Sequence, residues 1–199
     1  MILASNNAHK LIEIRAILAN LGVDLISQRE AGCDFEVEET GTTFEENAYL
    51  KAIAVTRATG QPAIADDSGL EVDALGGEPG VYSARYTGNH EDTDEDRNNY
   101  LLERLGDTPL EQRTARFVSC ICCTFPNGDA LRARGTMEGK ILFAPRGKNG
   151  FGYDPLFQAD GYDRSNGELT PEEKNAISHR GNALRIFEEE LREYQNAHK

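Results

Sequence analysis

Short apolar runs and helical stripes alternate along this chain. Residues 1–4 are apolar, Ser5-Asn6-Asn7 is polar, and apolar residues then recur at Leu11, Ile14, Leu18 and Leu21 until Gly22. That spacing predicts a strand, a loop and an amphipathic helix, with Gly22 just past the helix end, where a left-handed backbone favours glycine. A second strand is expected over residues 23–27. Thr43-Phe44-Glu45-Glu46 has the form of a capping box, and Phe44, Ala48, Ala52 and Val55 make a helical stripe that stops at Gly60-Gln61-Pro62. Asn47 and Lys51, one turn apart, flank that stripe, where they face either solvent or a cleft. The apolar stretch Pro62-Ala63-Ile64-Ala65 then reads as a buried strand, with Asp66-Asp67-Ser68-Gly69 at its end.

A turn-rich segment over residues 75–88 precedes a polar helix capped near Thr93 and ending at Leu105-Gly106. Two longer strands follow over residues 113–125 and 129–142, joined by a turn at Pro126-Asn127-Gly128. Near the end, Thr170 stands at an N-cap with Pro171 at the first helical position and Glu173 closing a capping box. Ser178-His179-Arg180-Gly181 breaks that helix before an amphipathic stretch over residues 183–194. A βαβ-like opening followed by a hairpin predicts a mixed β-sheet flanked by helices, α/β or mixed α+β, in a single domain over residues 1–199.

Composition narrows the function. The 199 residues suffice for one substantial core. There is no apolar run long enough to span a membrane and no basic-then-apolar leader, so a cytoplasmic location without membrane contact is expected. With 21 Lys+Arg against 34 Asp+Glu the formal charge is −13, which repels a polyanion and offers no footprint for a nucleic-acid polymer. A small phosphorylated ligand remains compatible, because local lysines, backbone N–H groups and a divalent cation reverse the field within one site. Cys33, Cys120, Cys122 and Cys123 lack zinc-knuckle spacing, and the last three lie in a predicted strand as small apolar residues of a reducing compartment.

Three constellations carry candidate chemistry. Ser5-Asn6-Asn7-Ala8-His9-Lys10 runs from a strand into a helix N-terminus, where unpaired N–H groups, the helix dipole and a lysine favour phosphate. The carboxylates Glu38, Glu39, Asp66 and Asp67 are suited to Mg²⁺, which takes one or two carboxylate oxygens and completes its octahedron with phosphate and water. Because side chains alternate along a strand, Asp66 and Asp67 are expected to point to opposite faces, one serving the site and the other the scaffold. Phe151-Gly152-Tyr153-Asp154 with Lys174, His179 and Arg180 supplies rings and hydrogen-bond donors that suit a nucleobase. Taken singly, each set has a plain structural reading as a cap, an acidic loop or a core corner.

Taken together and in order, they are specific. Ser5 to Lys10, Glu38-Glu39-Thr40-Gly41-Thr42-Thr43-Phe44-Glu45-Glu46-Asn47-Ala48, Ala65-Asp66-Asp67-Ser68-Gly69-Leu70, Pro79-Gly80-Val81-Tyr82-Ser83-Ala84-Arg85, Gly150-Phe151-Gly152-Tyr153-Asp154-Pro155 and Glu173-Lys174-Asn175-Ala176-Ile177-Ser178-His179-Arg180-Gly181 span essentially the whole chain. The set closely resembles the Ham1/RdgB-type non-canonical purine nucleoside triphosphate pyrophosphatases, the inosine triphosphatase family. The resemblance implies hydrolysis of dITP, ITP or XTP between the α- and β-phosphates, with Mg²⁺, by a cytosolic homodimer. It further implies a long mixed sheet in two lobes around a central nucleotide cleft.

The resemblance also implies roles. Ser5, Asn6, Asn7, Ala8, His9 and Lys10 grip the nucleotide. Glu38 and Asp67 hold the metal, with Asp67 as proton acceptor. Ser68, Phe151, Gly152, Tyr153, Asp154, Lys174, His179 and Arg180 match substrate contacts, to which Lys51 is added. The metal ligand is assigned to Glu38 by aligning Thr40-Gly41, and a shift of one residue would give Glu39. Donors at His179 and Arg180 suit the 6-oxo group of hypoxanthine or xanthine and leave unpaired groups against adenine. A Maf-like pyrophosphatase shares the opening loop, but the two late motifs favour a purine. A sensor without turnover is disfavoured because Asp67 and Glu38 repel a triphosphate unless a metal lies between them.

Overall fold

The protein is described by a computed structural model over residues 1–5, 7–19, 22–89 and 91–198, with the backbone alone at residues 8, 9, 13, 16 and 17. Strand β1 (Ile2–Leu3) leads through helix α1 (Ala8–Leu18) to β2 (Ile26–Ser27), which lies parallel to it. Helix α2 (Phe44–Thr59) returns the chain to β3 (Ala63–Val72), parallel to β1 on its other edge. Helix α3 (Asp94–Leu105), the long strands β4 (Thr114–Thr124) and β5 (Ala130–Ile141), and β6 (Phe157–Ala159), antiparallel to β5, follow. Helices α4 (Pro171–Ile177) and α5 (His179–Ala197) end the chain. The sheet has six strands in the order β2-β1-β3-β4-β5-β6. This is the mixed sheet flanked by helices that the periodicity predicts.

Two elements differ from expectation. Strand β2 covers only Ile26 and Ser27, and on its outer edge the Leu25 carbonyl accepts from Arg15 Nε and Nη2 at 3.0 and 2.7 Å. Strand β3 runs unbroken to Val72, so Asp66-Asp67-Ser68-Gly69 lie in its middle and not at its end. Polar side chains with partners on neighbouring elements need not terminate a strand, and both aspartates have them. The α2 cap is also shifted in part. Thr43 Oγ1 accepts the Glu46 N–H at 3.2 Å as expected, but Glu46 Oε2 reaches back to Thr42, accepting its N–H at 2.7 Å and its hydroxyl at 3.0 Å.

The chain folds into two compact units. The first comprises Met1–Asp67, Ser119–Gly135 and Asn182–Lys199, and the second Ser68–Val118 and Thr136–Gly181. Their boundaries fall inside β3, β4, β5 and α5. In the first unit Leu3, Ile14, Leu18, Leu25, Ile64, Ile121 and Phe187 form one core cluster, while Ile2, Ala52, Val55 and Ala63 form another on the α2 side. Ile14 and Leu18 confirm the stripe of α1; Leu21 lies outside the described residues. In the second unit Leu70, Leu101, Phe117, Ile141, Tyr153, Leu156 and Phe157 pack together. Each large apolar side chain so buried contributes roughly 1.5–3 kcal/mol.

Among the described residues no helix is long and apolar enough to cross a membrane. All four cysteines are free and buried. Burial pushes the Cys122 thiol up to about 11 and raises those of Cys120 and Cys123 as well. Thiolate, not thiol, reacts with disulfide reagents. The native protein is therefore expected to show negligible thiol reaction with Ellman's reagent at pH 8 and to release four equivalents in guanidinium.

Candidate active site

Strand β3 turns its two aspartates to different partners, as its alternation requires. Asp66, 2% exposed, has Oδ2 at 2.7 Å from Lys10 Nζ, and its Oδ1 accepts from Ser119 Oγ at 2.5 Å. Its backbone carbonyl accepts from Lys10 Nζ at 3.3 Å and from Lys51 Nζ at 3.1 Å. Asp66 thus gathers both lysines, one from α1 and one from α2. Asp67, 8% exposed, places Oδ1 at 2.8 Å from Lys51 Nζ, which also lies 2.7 Å from Glu39 Oε1.

The electrostatics of this cluster follow from its depth. Burial pushes the Asp67 carboxyl above the ordinary aspartate value, the Lys51 charge pulling it back and Glu39 adding to the rise. For Lys51, burial alone would depress the ammonium, but the charges of Asp67 and Glu39 outweigh it and hold it above its ordinary value. Both shifts run upward because burial dominates at Asp67 over the pull of Lys51 and Lys10, whereas at Lys51 two carboxylates outweigh burial. A carboxylate held ready to take a proton, beside a firmly charged lysine, is suited to general-base work near an anionic substrate.

The loop before α1 is built as a cap. Asn7 Oδ1 accepts the Lys10 N–H at 3.2 Å and Ser5 Oγ accepts the Asn7 N–H at 3.1 Å, which sets the start of the helix and with it the root of Lys10. Asn6 lies outside the described residues, as do the side chains of Ala8 and His9, whose backbones form the first turn of α1.

Of the two neighbouring glutamates, Glu39 joins the lysine cluster while Glu38 is exposed. The loop that carries them is anchored by Asn47, fully buried on α2, whose Oδ1 accepts the Gly41 N–H at 2.8 Å. A Cβ on Gly41 would sit 2.6 Å from that oxygen, so glycine is required. Asn47 is therefore an internal anchor and no solvated flank, and Lys51, one turn on, is the residue that reaches Asp67. Glu39 Oε1 and Asp67 Oδ1 converge on the Lys51 ammonium, and the neighbouring Glu38 carboxylate is exposed; carboxylate oxygens are hard donors of the type Mg²⁺ takes. Among the described residues no group of three or more His, Cys, Asp or Glu forms a self-sufficient metal cage. Any ion here would complete its shell with substrate oxygens and water.

The second unit holds a recess of about 210 Å³ that begins at Ser68, the residue after Asp67. One wall is the turn at Phe151-Gly152-Tyr153. Phe151 is 64% exposed with its ring 4.9 Å from Lys174 Nζ, whereas Tyr153 is buried and its hydroxyl donates to the Ser83 carbonyl at 2.8 Å. Asp154, 2% exposed, accepts from Lys174 Nζ at 2.5 Å, from the Phe151 N–H at 2.9 Å and from Asn166 Nδ2 at 3.2 Å. A side chain at Gly150 would drive a Cβ to 2.1 Å from the Asp154 carboxylate.

Another part of the lining comes from the start of α5. Ser178 Oγ accepts the Gly181 N–H at 3.0 Å and caps the helix, placing His179 and Arg180 in its first turn. The His179 ring stacks on Phe117 with centroids 5.1 Å apart and planes 18° from parallel, and Arg180 Nη2 donates to Ser68 Oγ at 3.4 Å. The recess thus has an exposed aromatic face, cationic donors and a buried carboxylate on its lining.

The sequence reading missed Phe117, Ser83 and the α3 residues Asp94 and Arg97, all of which line this recess, and Ser119, which braces Asp66. Phe117 and Ser119 read as ordinary strand positions. Asp94 and Arg97 read as the solvated face of a polar helix, and only their spacing on one face carried a signal.

A model of the Ham1 family matches residues 1–190 of the chain. A dITP/XTP pyrophosphatase of Exiguobacterium sibiricum is 50% identical over 191 residues, covering 96% of each chain. One from Thermus thermophilus is 51% identical, covering 94% of this chain and 89% of its own length. Among solved structures, a Ham1 protein from Staphylococcus aureus superposes with a TM-score of 0.88 at 42% identity, covering 100% of this chain and 98% of that one.

Proposed function

The chain belongs to the Ham1 family, and from that membership and the geometry above we propose that it hydrolyses dITP, ITP and XTP to the nucleoside monophosphate and pyrophosphate with the help of Mg²⁺. The observation that carries the reading is the order of chemistry along β3. The lysine and carboxylate cluster closes at Asp67, and the aromatic recess with its donors opens at Ser68.

In this reading Lys10 and Lys51 neutralise the phosphates, and the first turn of α1 offers its N–H groups to the same charge. Glu38, assigned by the alignment on Thr40-Gly41, and Asp67 would hold the metal. Glu39, one residue on, stays with Lys51 at 2.7 Å. Bound Mg²⁺ supplies charge neutralisation at phosphate oxygens. Asp67 orients water and takes its proton. Phe151 offers its exposed face to the base, while His179 and Arg180 donate toward a 6-oxo group and leave unpaired donors against adenine. The polypeptide over residues 1–199 acts as one catalytic domain, in a cytoplasmic homodimer.

The test is an assay with ITP, XTP, dUTP, ATP and GTP, each with Mg²⁺, in which pyrophosphate is distinguished from orthophosphate. Pyrophosphate from ITP and XTP, with ATP turned over far more slowly and all activity lost in EDTA, is expected. Orthophosphate as the first product, or a preference for dUTP, would refute the proposal. Light scattering of the purified protein tests the dimer.

A further inference from the structure

We infer that Asp94 and Asn98 of α3 are positioning residues for base binding, acting by clamping the Gly152 peptide that carries the Phe151 platform. The inference rests on the purine reading of the recess. Gly152 has a positive φ of 60°, so the turn at Phe151-Gly152-Tyr153 is a sharp one whose central residue needs fixing from outside. Helix α3 fixes both backbone polar groups of Gly152, one in each of the two peptides that flank it. Asp94 Oδ2 accepts the Gly152 N–H at 2.6 Å, and Asn98 Nδ2 donates to the Gly152 carbonyl at 2.9 Å.

The two side chains stand four residues apart, on one face of the helix, and grip one residue from its donor and acceptor sides. The helix is itself set by a capping box between Thr93 and Asp96, which fixes where Asp94 stands. Asp94 also pairs with Arg97, a second wall residue of the recess, so its other oxygen is occupied and its direction is determined. Asn98 is 6% exposed, and its Oδ1 is buried without a hydrogen-bond partner. Burying an amide at such cost is consistent with a specific task for its Nδ2. On the other side of the turn, the Tyr153 hydroxyl is tied to Ser83 and the Asp154 carboxylate to the Phe151 N–H. Among the described contacts of this turn, Gly152 is the part held by α3, and Phe151 is exposed and adjacent to it.

The experiment compares wild type, Asp94→Ala, Asp94→Asn and Asn98→Ala for ITP kinetics, for binding of inosine 5′-monophosphate by calorimetry and for inhibition by pyrophosphate. Asp94→Ala is expected to raise KM for ITP and the Kd for the monophosphate about ten-fold, as loss of a hydrogen bond to a charged group does, and Asn98→Ala to raise both by about five-fold, as loss of a neutral one does. The pyrophosphate inhibition constant should stay unchanged and kcat should fall much less than KM rises. Asp94→Asn keeps an oxygen for the Gly152 N–H and should recover most of the affinity. Unchanged monophosphate affinity in the alanine variants would overturn the inference, and so would an Asp94→Asn variant as impaired as Asp94→Ala, which would assign the effect to the Arg97 pair. If the wild type itself fails to bind the monophosphate, it is the purine reading that fails.

Discussion

Asp67→Asn is expected to lower kcat for ITP by about 10² to 10⁴, the usual contribution of a positioned general base, with the melting temperature held or slightly raised. The argument for activity is chemical. The amide keeps the size of the carboxylate and can still accept from Lys51, but it cannot take a proton from water or offer a charge to a cation. The argument for stability is one of sign. Folding raises the Asp67 pKa, burial being the largest cause. The folded state therefore disfavours the anion, and this cost is present above the folded pKa and disappears as pH falls through it. At neutral pH the neutral amide removes the cost, while Lys51 keeps Glu39 as a partner at 2.7 Å. Kinetics at saturating Mg²⁺ together with a thermal melt separate the two effects. A variant that kept more than about a third of wild-type turnover would remove Asp67 from the role of base, since the low end of the expected loss is already two orders of magnitude.

How far the sequence alone carried this picture depends on whether a signal is local. Thr43 and Thr93 stand at N-caps, Gly60 adopts the left-handed conformation, and Phe44, Ala48, Ala52 and Val55 are buried, because caps and stripes are properties of a few consecutive residues. The opposed directions of Asp66 and Asp67 follow from the alternation of any strand. The failures are all non-local. The run Asp66-Asp67-Ser68-Gly69 inside β3 reads as a strand end, since the compensation of its aspartates by Lys10, Lys51 and Ser119 comes from elements far along the chain. The roles of Asp94 and Asn98 need the Gly152 peptide, which lies 58 and 54 residues away. In the sequence, the residues that line the recess of the second unit are linked only by the resemblance of ordered motifs. What the fold adds is the reason they meet: a capped helix start at Ser178, a glycine at 150 that makes room for Asp154, and Phe117 beneath the His179 ring.

Lys174→Ala is expected to destabilise the protein by about 3 kcal/mol, toward the lower end of the range for breaking a buried ion pair because water reaches the 16%-exposed lysine. For a chain of this length that corresponds to a fall in melting temperature of roughly 6–12 °C. Asp154 is the reason. Its side chain is 3% exposed, and of its three donors Lys174 is the only charged one, the others being the Phe151 N–H and Asn166 Nδ2. Without the ammonium a carboxylate remains at the floor of the recess with two neutral donors, which do not offset the loss of its hydration. The same lysine lies over the Phe151 ring, so KM for ITP should rise as well. A second substitution separates charge from packing. Asp154→Asn in the Lys174→Ala background removes the stranded charge while keeping an oxygen for the Phe151 N–H. The double variant should therefore melt above Lys174→Ala alone, although its recess still lacks both charges. A Lys174→Ala protein that melts with the wild type would mean that Phe151 and Asn166 satisfy Asp154 by themselves, and the lysine would then serve the nucleotide alone.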